Sequence, residues 1–155
     1  MIVISDTSPL SALILAGHVE LLRVIFHRVV IPPAVEVELL RAHEGLPEWV
    51  EVMAPQGIPS SVSEADLDPG ETEAIALALE LQPDTLLMDE RLGRRLALQH
   101  GLRVTGCLGF IVLSKQRKLI SAVAPVIRDL QDKGDCWFGV ELLEEVCSSV
   151  GEQWV

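Results

Sequence analysis

Apolar residues along this chain fall into two alternating rhythms. Short, largely apolar runs occur at residues 2–5, 28–31 and 85–88, each with the length of a buried strand, and 102–105 reads as a further short strand. Between them, apolar positions recur at three- and four-residue spacing, as on a helix that turns one side to a core. A helix is predicted over 10–16, opened by Asp6-Thr7-Ser8-Pro9 as cap and first turn and stopped by Gly17. Further helices are predicted over 18–26, over 34–43 after Pro32-Pro33, over 70–81, and over 90–100 with Gly101 as the stop. Residues 49–53 read as a third strand or extended segment, and 54–69, rich in Pro, Ser and Gly, as a loop. From residue 106 the pattern is mostly helical, with a break at Lys133-Gly134-Asp135. The alternation predicts an α/β fold in three α/β/α layers with a central parallel sheet, Rossmann-like, in a single domain spanning 1–155.

Composition narrows the core and the compartment. The chain has 155 residues, 49% of them hydrophobic and 4% aromatic, with no Tyr, so the core is built from Leu, Val, Ile and Ala. Met1-Ile2-Val3-Ile4-Ser5-Asp6 has no basic leader, and no apolar run approaches the roughly 18–20 residues of a bilayer span. The expectation is a cytoplasmic protein with no membrane partner. Cys107, Cys136 and Cys147 form no Cys-x-x-Cys pair and are expected to be reduced thiols rather than zinc ligands. His18, His27, His43 and His100 form no His-Glu-x-x-His pattern, and surface or helix-end positions suffice for them.

A net charge of −11 argues against a nucleic-acid partner until its distribution is considered. From Glu36 to Glu90 there are fourteen acids and one base, Arg41; from Arg91 to Arg128 there are eight bases and no acid. That asymmetry can set a basic rim beside an acidic pocket, although two ordinary solvated faces would give the same count.

The acids stand where a parallel sheet binds ligands. Such sheets place ligands beyond the carboxyl ends of their strands, near the topological switch point. Asp6 follows the first strand and Asp89 the strand at 85–88. Each alone reads equally as a helix cap or turn acid. On a wheel of residues 34–43 at about 100° per residue, Glu38 falls between Ala34, Val35 and Ala42, in the apolar sector. A carboxylate there costs free energy unless it is paired, protonated or metal-bound, and Arg41 is its one local partner for an ion pair. On the helix 70–81, Glu71 lies near Ala74, Ile75 and Ala78, while Glu73 lies nearer Leu77 and Glu80. Glu71 is the inward candidate and Glu73 the reserve, with helix-dipole stabilisation as the plain alternative for both. Four converging carboxylates repel one another unless a cation neutralises them, and hard oxygen donors suit Mg²⁺ or Mn²⁺.

These motifs, taken in order, resemble the PIN-domain nucleases, whose bacterial members include the VapC-like ribonuclease toxins of type II toxin–antitoxin pairs. The similarity lies in Asp6-Thr7-Ser8 after the first strand, in Ile31-Pro32-Pro33-Ala34-Val35-Glu36-Val37-Glu38-Leu39, in Gly70-Glu71-Thr72-Glu73-Ala74-Ile75-Ala76-Leu77-Ala78, and in Leu86-Leu87-Met88-Asp89-Glu90-Arg91. It covers about residues 1–120 and looks closest to an uncharacterised PIN-like branch with Asp-Thr-Ser-Pro-Leu and Gly-Glu-x-Glu-Ala-Ile. The chain departs from the pattern at Glu71, where Asp is usual, and at Leu87, where toxins often carry Thr. The segment Gly106-Cys107-Leu108-Gly109-Phe110 also lacks a further acid found in some PIN enzymes.

The resemblance implies a metal-dependent ribonuclease, a toxin where an antitoxin protein accompanies it, acting on RNA or DNA and often homodimeric. Asp6, Glu38, Glu71 and Asp89 would be the catalytic, metal-holding acids, supported by Thr7, Ser8, Glu73 and Glu90, with Arg91, Arg94 and Arg95 on the RNA backbone. Two other readings stand beside it. One is a catalytically silent PIN-like module that binds RNA or protein. The other is a phosphoacceptor signalling domain, which needs a Lys late in the sheet, whereas every Lys here lies beyond Thr105.

Overall fold

In the computed structural model, which describes residues 1–155, the chain forms strands β1 (Ile2–Ser5), β2 (Arg28–Ile31), β3 (Val50–Val52), β4 (Thr85–Leu87) and β5 (Val104–Thr105). All four strand pairings are parallel, in the order β3-β2-β1-β4-β5. The first half of the chain therefore builds outward from β1 through β2 to β3. It then crosses back to lay β4 and β5 on the other side, so the switch point lies between β1 and β4.

Helices cover both sides. Helices α1 (Thr7–Ala16), α2 (Glu20–Phe26) and α3 (Pro33–Ala42) make the crossovers of the first half. Helices α4 (Ser60–Ser63), α5 (Pro69–Leu81) and α6 (Arg91–Gln99) make those of the second, and α7 (Cys107–Gln116), α8 (Val123–Asp132) and α9 (Val140–Ser149) complete the chain. Because side chains alternate along a strand, the sheet separates two cores. Val3, Val29, Ile31 and Leu87 pack with Leu10, Leu13, Val35, Leu39, Phe110 and Ile127. Ile4, Val30, Leu86 and Met88 pack with Val62, Ala74, Ile75 and Ala97. This is a three-layer α/β/α fold with a parallel sheet, as the apolar rhythm predicts.

Three local predictions are corrected. The loop predicted over 54–69 contains the helical turn α4, pinned by fully buried Val62. The strand predicted from Leu102 begins only at Val104, because the Leu102 amide closes α6 on the Ala97 carbonyl (3.0 Å) after left-handed Gly101 (φ +80°). The helical tail also breaks before α8, where Lys118 takes a left-handed conformation (φ 62°) and its amide returns to Lys115. A single positive φ at an ordinary residue carries no sequence signature.

The end of the chain is tied to that break. The Glu152 carboxylate accepts the Val123 and Ala124 amides, capping α8, and also the Lys115 ammonium at 2.6 Å. Burial pushes the Glu152 pKa up, but Lys115 and the two amides outweigh it and hold the carboxyl below its ordinary value of 4.5. A lowered folded pKa stabilises the fold above pH 4.5 and is lost as pH falls through it. Glu152→Gln should therefore cost about 1.5–3 kcal/mol at pH 7, a difference that shrinks below pH 4. Urea unfolding at the two pH values checks this; equal stability at pH 7 would contradict it. No helix of the chain is long and apolar enough to cross a membrane.

Candidate active site

Adjacent strands deliver the first two acids. Ser5 of β1 stands in register with Leu87 of β4, and the Asp6 amide donates to the Leu87 carbonyl (2.9 Å). Asp6 thus leaves the carboxyl end of β1, and Asp89 follows two residues beyond the end of β4. Asp6 holds the N-cap position of α1, yet its carboxylate makes no capping bond. It is only 4% exposed. Asp89 is half-buried, and its Oδ1 accepts the Cys107 amide (2.8 Å), which ties the end of β4 to the start of α7.

The helices deliver the rest. Glu38, half-buried on α3, accepts the Thr7 hydroxyl at 2.7 Å. Arg41 is exposed and forms no ion pair with it. Glu71, 7% exposed, lies in the first turn of α5, and the N-cap of that helix is Asp68, whose Oδ1 accepts the Glu71 amide (2.8 Å). The residue joining them is Gly70. A Cβ there would lie 2.9 Å from Glu38 Oε1 and 3.4 Å from both Asp6 Oδ1 and Asp68 Oδ1. Three carboxylates therefore close on one bare backbone position. Gly93 plays a similar part on α6, with Glu71 Oε2 at 3.4 Å and Glu90 Oε2 at 3.6 Å from its Cβ position.

The charges are out of balance. Burial raises the Asp6 pKa to about 7; the Thr7 amide, the next-largest influence, lowers it, and the charges of Asp68, Glu38 and Asp89 raise it further. Burial and the neighbouring Asp68 push Glu71 up to about 9. Burial also raises Asp89, partly offset by the Cys107 amide and by Arg94. Clustered, raised carboxyls of this kind make a candidate site, and a cation between them would reverse the shifts.

The other predicted residues are distributed as follows. Thr7 binds Glu38 rather than Asp6, and Ser8 is exposed and makes no bond to Asp6. Glu73 accepts the Ala34 amide at 3.1 Å, joining α5 to the start of α3. Glu90 caps α6 through the Gly93 amide and is held below the ordinary carboxylate range, chiefly by that bond. Arg91 and Arg95 are exposed, whereas Arg94 donates to the Met88 carbonyl (3.0 Å). With Asp89 these three arginines line a cleft of about 630 Å³. Neither a strand end nor an apolar helix face singles out Asp68. Its signal is Asp68-Pro69-Gly70-Glu71, a cap, a first-turn Pro and an acid three residues on.

Two thiols adjoin the acids, since the charge of Asp89 bears on Cys107 and Cys136. Cys107, Cys136 and Cys147 are free, and burial raises each thiol. Lys115 is committed to Val150 and Glu152, so it does not serve a phosphoacceptor site.

The donor set fits Mg²⁺ or Mn²⁺ by chemistry, being all hard carboxylate oxygen. No three acidic side chains are set as a finished ligand group, however. Gly70→Ala tests the convergence. Its Cβ would displace the Glu38 carboxylate, the free end of a flexible side chain, so the fold should hold. Mn²⁺ affinity by calorimetry should drop about tenfold or more, with a melting temperature equal or slightly raised. Unchanged affinity would place the binding of metal elsewhere.

No curated protein matches the chain. The family model DUF3368, described as a PIN domain, matches residues 2–152. PIN domains are generally nucleases and generally use divalent metals. With the parallel sheet and the acids beyond β1 and β4 already in place, the match covers nearly the whole chain, which therefore belongs to the PIN-domain family.

Proposed function

We propose that the protein is a metal-dependent ribonuclease that hydrolyses RNA phosphodiester bonds, with Asp6, Glu38, Glu71 and Asp89 holding Mg²⁺ or Mn²⁺ and Asp68 beside them. The observation that carries the reading is the packing of Asp6, Glu38 and Asp68 around Gly70 at the switch point of a parallel sheet. A bound divalent ion supplies Lewis acidity and offsets phosphate charge at such a site.

The chain's own residues do the positioning. Thr7 holds the Glu38 carboxylate, and the Cys107 amide holds that of Asp89. Glu90 keeps the start of α6 against Glu71. Arg91 and Arg95, free at the surface, offer their guanidinium groups to the RNA backbone, and Arg94 bears on the charge of Asp89. In this reading the protein is a cytoplasmic toxin of a type II pair, homodimeric and held in check by an antitoxin protein.

A second reading, a catalytically silent module that binds RNA or protein, is favoured by Glu71, which stands where Asp is usual. Calorimetric titration with Mn²⁺, followed by cleavage of a single-stranded RNA with and without EDTA, separates the two. Saturable Mn²⁺ binding with EDTA-sensitive cleavage supports the ribonuclease. RNA binding with neither Mn²⁺ uptake nor cleavage supports the silent module.

A further inference from the structure

Trp137 is the most conspicuous apolar side chain beside the acids that the proposed chemistry does not use. It is 81% exposed, the most exposed large hydrophobic apart from the terminal Val155. The other two tryptophans are half-buried and engaged, Trp49 through its indole N–H to Glu20 and Trp154 beneath Arg128. Leaving an indole in water with no partner forgoes the burial that usually holds one in place.

Its backbone is nonetheless held. The adjacent Cys136 amide donates to the Leu130 carbonyl (3.3 Å), and the Phe138 amide to Gln131 Oε1 (3.1 Å). The segment between α8 and α9 thus presents Trp137 from an anchored turn. Trp137 lines a cleft of about 860 Å³ together with Leu113, Phe138 and Leu142, and Asp89 and Arg94 line it too. Asp89 and Arg94 also line the cleft of Arg91 and Arg95. The two clefts therefore meet at a candidate catalytic acid, one arm cationic and the other apolar with an open aromatic face.

That pairing matches one kind of occupant. A single strand of nucleic acid presents a charged backbone and, beside it, bases whose faces are free to stack. A duplex buries those faces, and an apolar protein segment would leave the arginine arm unmatched. We infer that Trp137 stacks an unpaired base of a single-stranded substrate whose backbone runs past Asp89 along Arg91, Arg94 and Arg95. This rests on the nucleic-acid reading above and extends it to the residue that engages a base.

Binding of a fluorescent single-stranded oligoribonucleotide tests it in the Asp6→Asn background, where no cleavage intervenes, with the matching RNA duplex as the second probe. Trp137→Leu should weaken single-strand binding by roughly fivefold to a hundredfold, the range for loss of one stacked base, and leave duplex binding unchanged. Trp137→Phe should restore most of the loss. In protein with Asp6 intact, Trp137→Leu should raise KM for a single strand and leave kcat nearly unaltered. Single-strand binding that ignores Trp137→Leu would overturn the inference and leave the ribonuclease reading standing, with the apolar cleft assigned to a protein segment. Failure of the protein with Asp6 and Trp137 both intact to bind or cut either probe would sink both.

Discussion

Asp6→Asn should unfold at a higher temperature than the parent protein in EDTA at pH 8, while losing both Mn²⁺ binding and RNA cleavage. The substitution keeps the shape of the side chain and removes a buried charge that faces Asp68, Glu38 and Asp89. The Asp6 carboxyl titrates near pH 7 in the fold against 3.8 ordinarily. Below pH 4 the group is neutral in both folded and unfolded protein and costs nothing. Between pH 4 and 7 the unfolded chain ionises first, so stability falls as pH rises, and above pH 7 the full penalty is present. Discounted for coupling among the acids, that penalty is on the order of 2 kcal/mol, or roughly 5 °C for a chain of this size. Glu71, raised to about 9 by burial and Asp68, extends the same slope to higher pH.

Metal should reverse the order. Mn²⁺ added at pH 8 stabilises only protein that binds it, so the parent gains and the Asn variant does not. Differential scanning calorimetry from pH 4 to 9, with EDTA and with Mn²⁺, gives the whole comparison. An Asn variant that melts below the parent in EDTA at pH 8 would show that Asp6 is held by favourable partners instead of being strained by like charges. A variant that cuts RNA at the parent's rate would remove Asp6 from the chemistry.

Gly134→Ala should produce the largest loss of stability from a single methyl group. Gly134 is buried where α8 ends against α1, and its φ is not in the left-handed region. Its amide caps α8 on the Leu130 carbonyl at 2.9 Å. A Cβ would lie 2.6 Å from the Leu130 carbonyl oxygen and 2.9 Å from that of Ala12. Both are backbone atoms of packed helices, so neither can swing aside as a side-chain tip can. Separating the helices opens the core that holds Leu13, Ile127 and Leu130. Overpacking of this kind costs about 2–3 kcal/mol, equivalent to roughly 5–10 °C in Tm. A melting temperature within a degree of the parent would mean that the α1–α8 contact gives way more easily than its backbone geometry indicates.

The two glycines separate what can be read locally from what cannot. Gly70 carries a sequence signal, since Asp68-Pro69-Gly70-Glu71 opens a helix by ordinary capping chemistry. Gly134 carries only the signal of a break. Part of its reason is the nearby Leu130 carbonyl, and the rest is Ala12, more than a hundred residues earlier in the chain. The acids divide in the same way. Period and position single out Asp6, Glu38, Glu71 and Asp89, because a carboxylate in an apolar sector or beyond a buried strand is conspicuous on one element alone. Asp68, in a stretch read as loop, becomes a neighbour of Asp6 only when α5 packs beneath β1. Glu73 differs from Glu71 by two residues, but the start of α3 draws it to the Ala34 amide. Trp137 gives no sign of its exposure, since an indole in a helical tail is ordinarily expected to be buried.

The sequence by itself therefore determined the alternation of strands and helices, the parallel sheet, and the acids that stand at strand ends and helix starts. Those follow from short-range physics: the period of side chains along a strand or helix, the φ of Pro and Gly, and the cost of a buried charge. Only the tertiary structure decided the strand order, and with it which carboxylates meet. The crossover from β3 back to β4 sets Asp89 beside Asp6, α5 brings Asp68 and Glu71 under them, and the turn before α9 sets Trp137 in the cleft that Asp89 also lines. Contacts of this kind join residues far apart in the chain through the packing of whole helices, and no local pattern of residues encodes them.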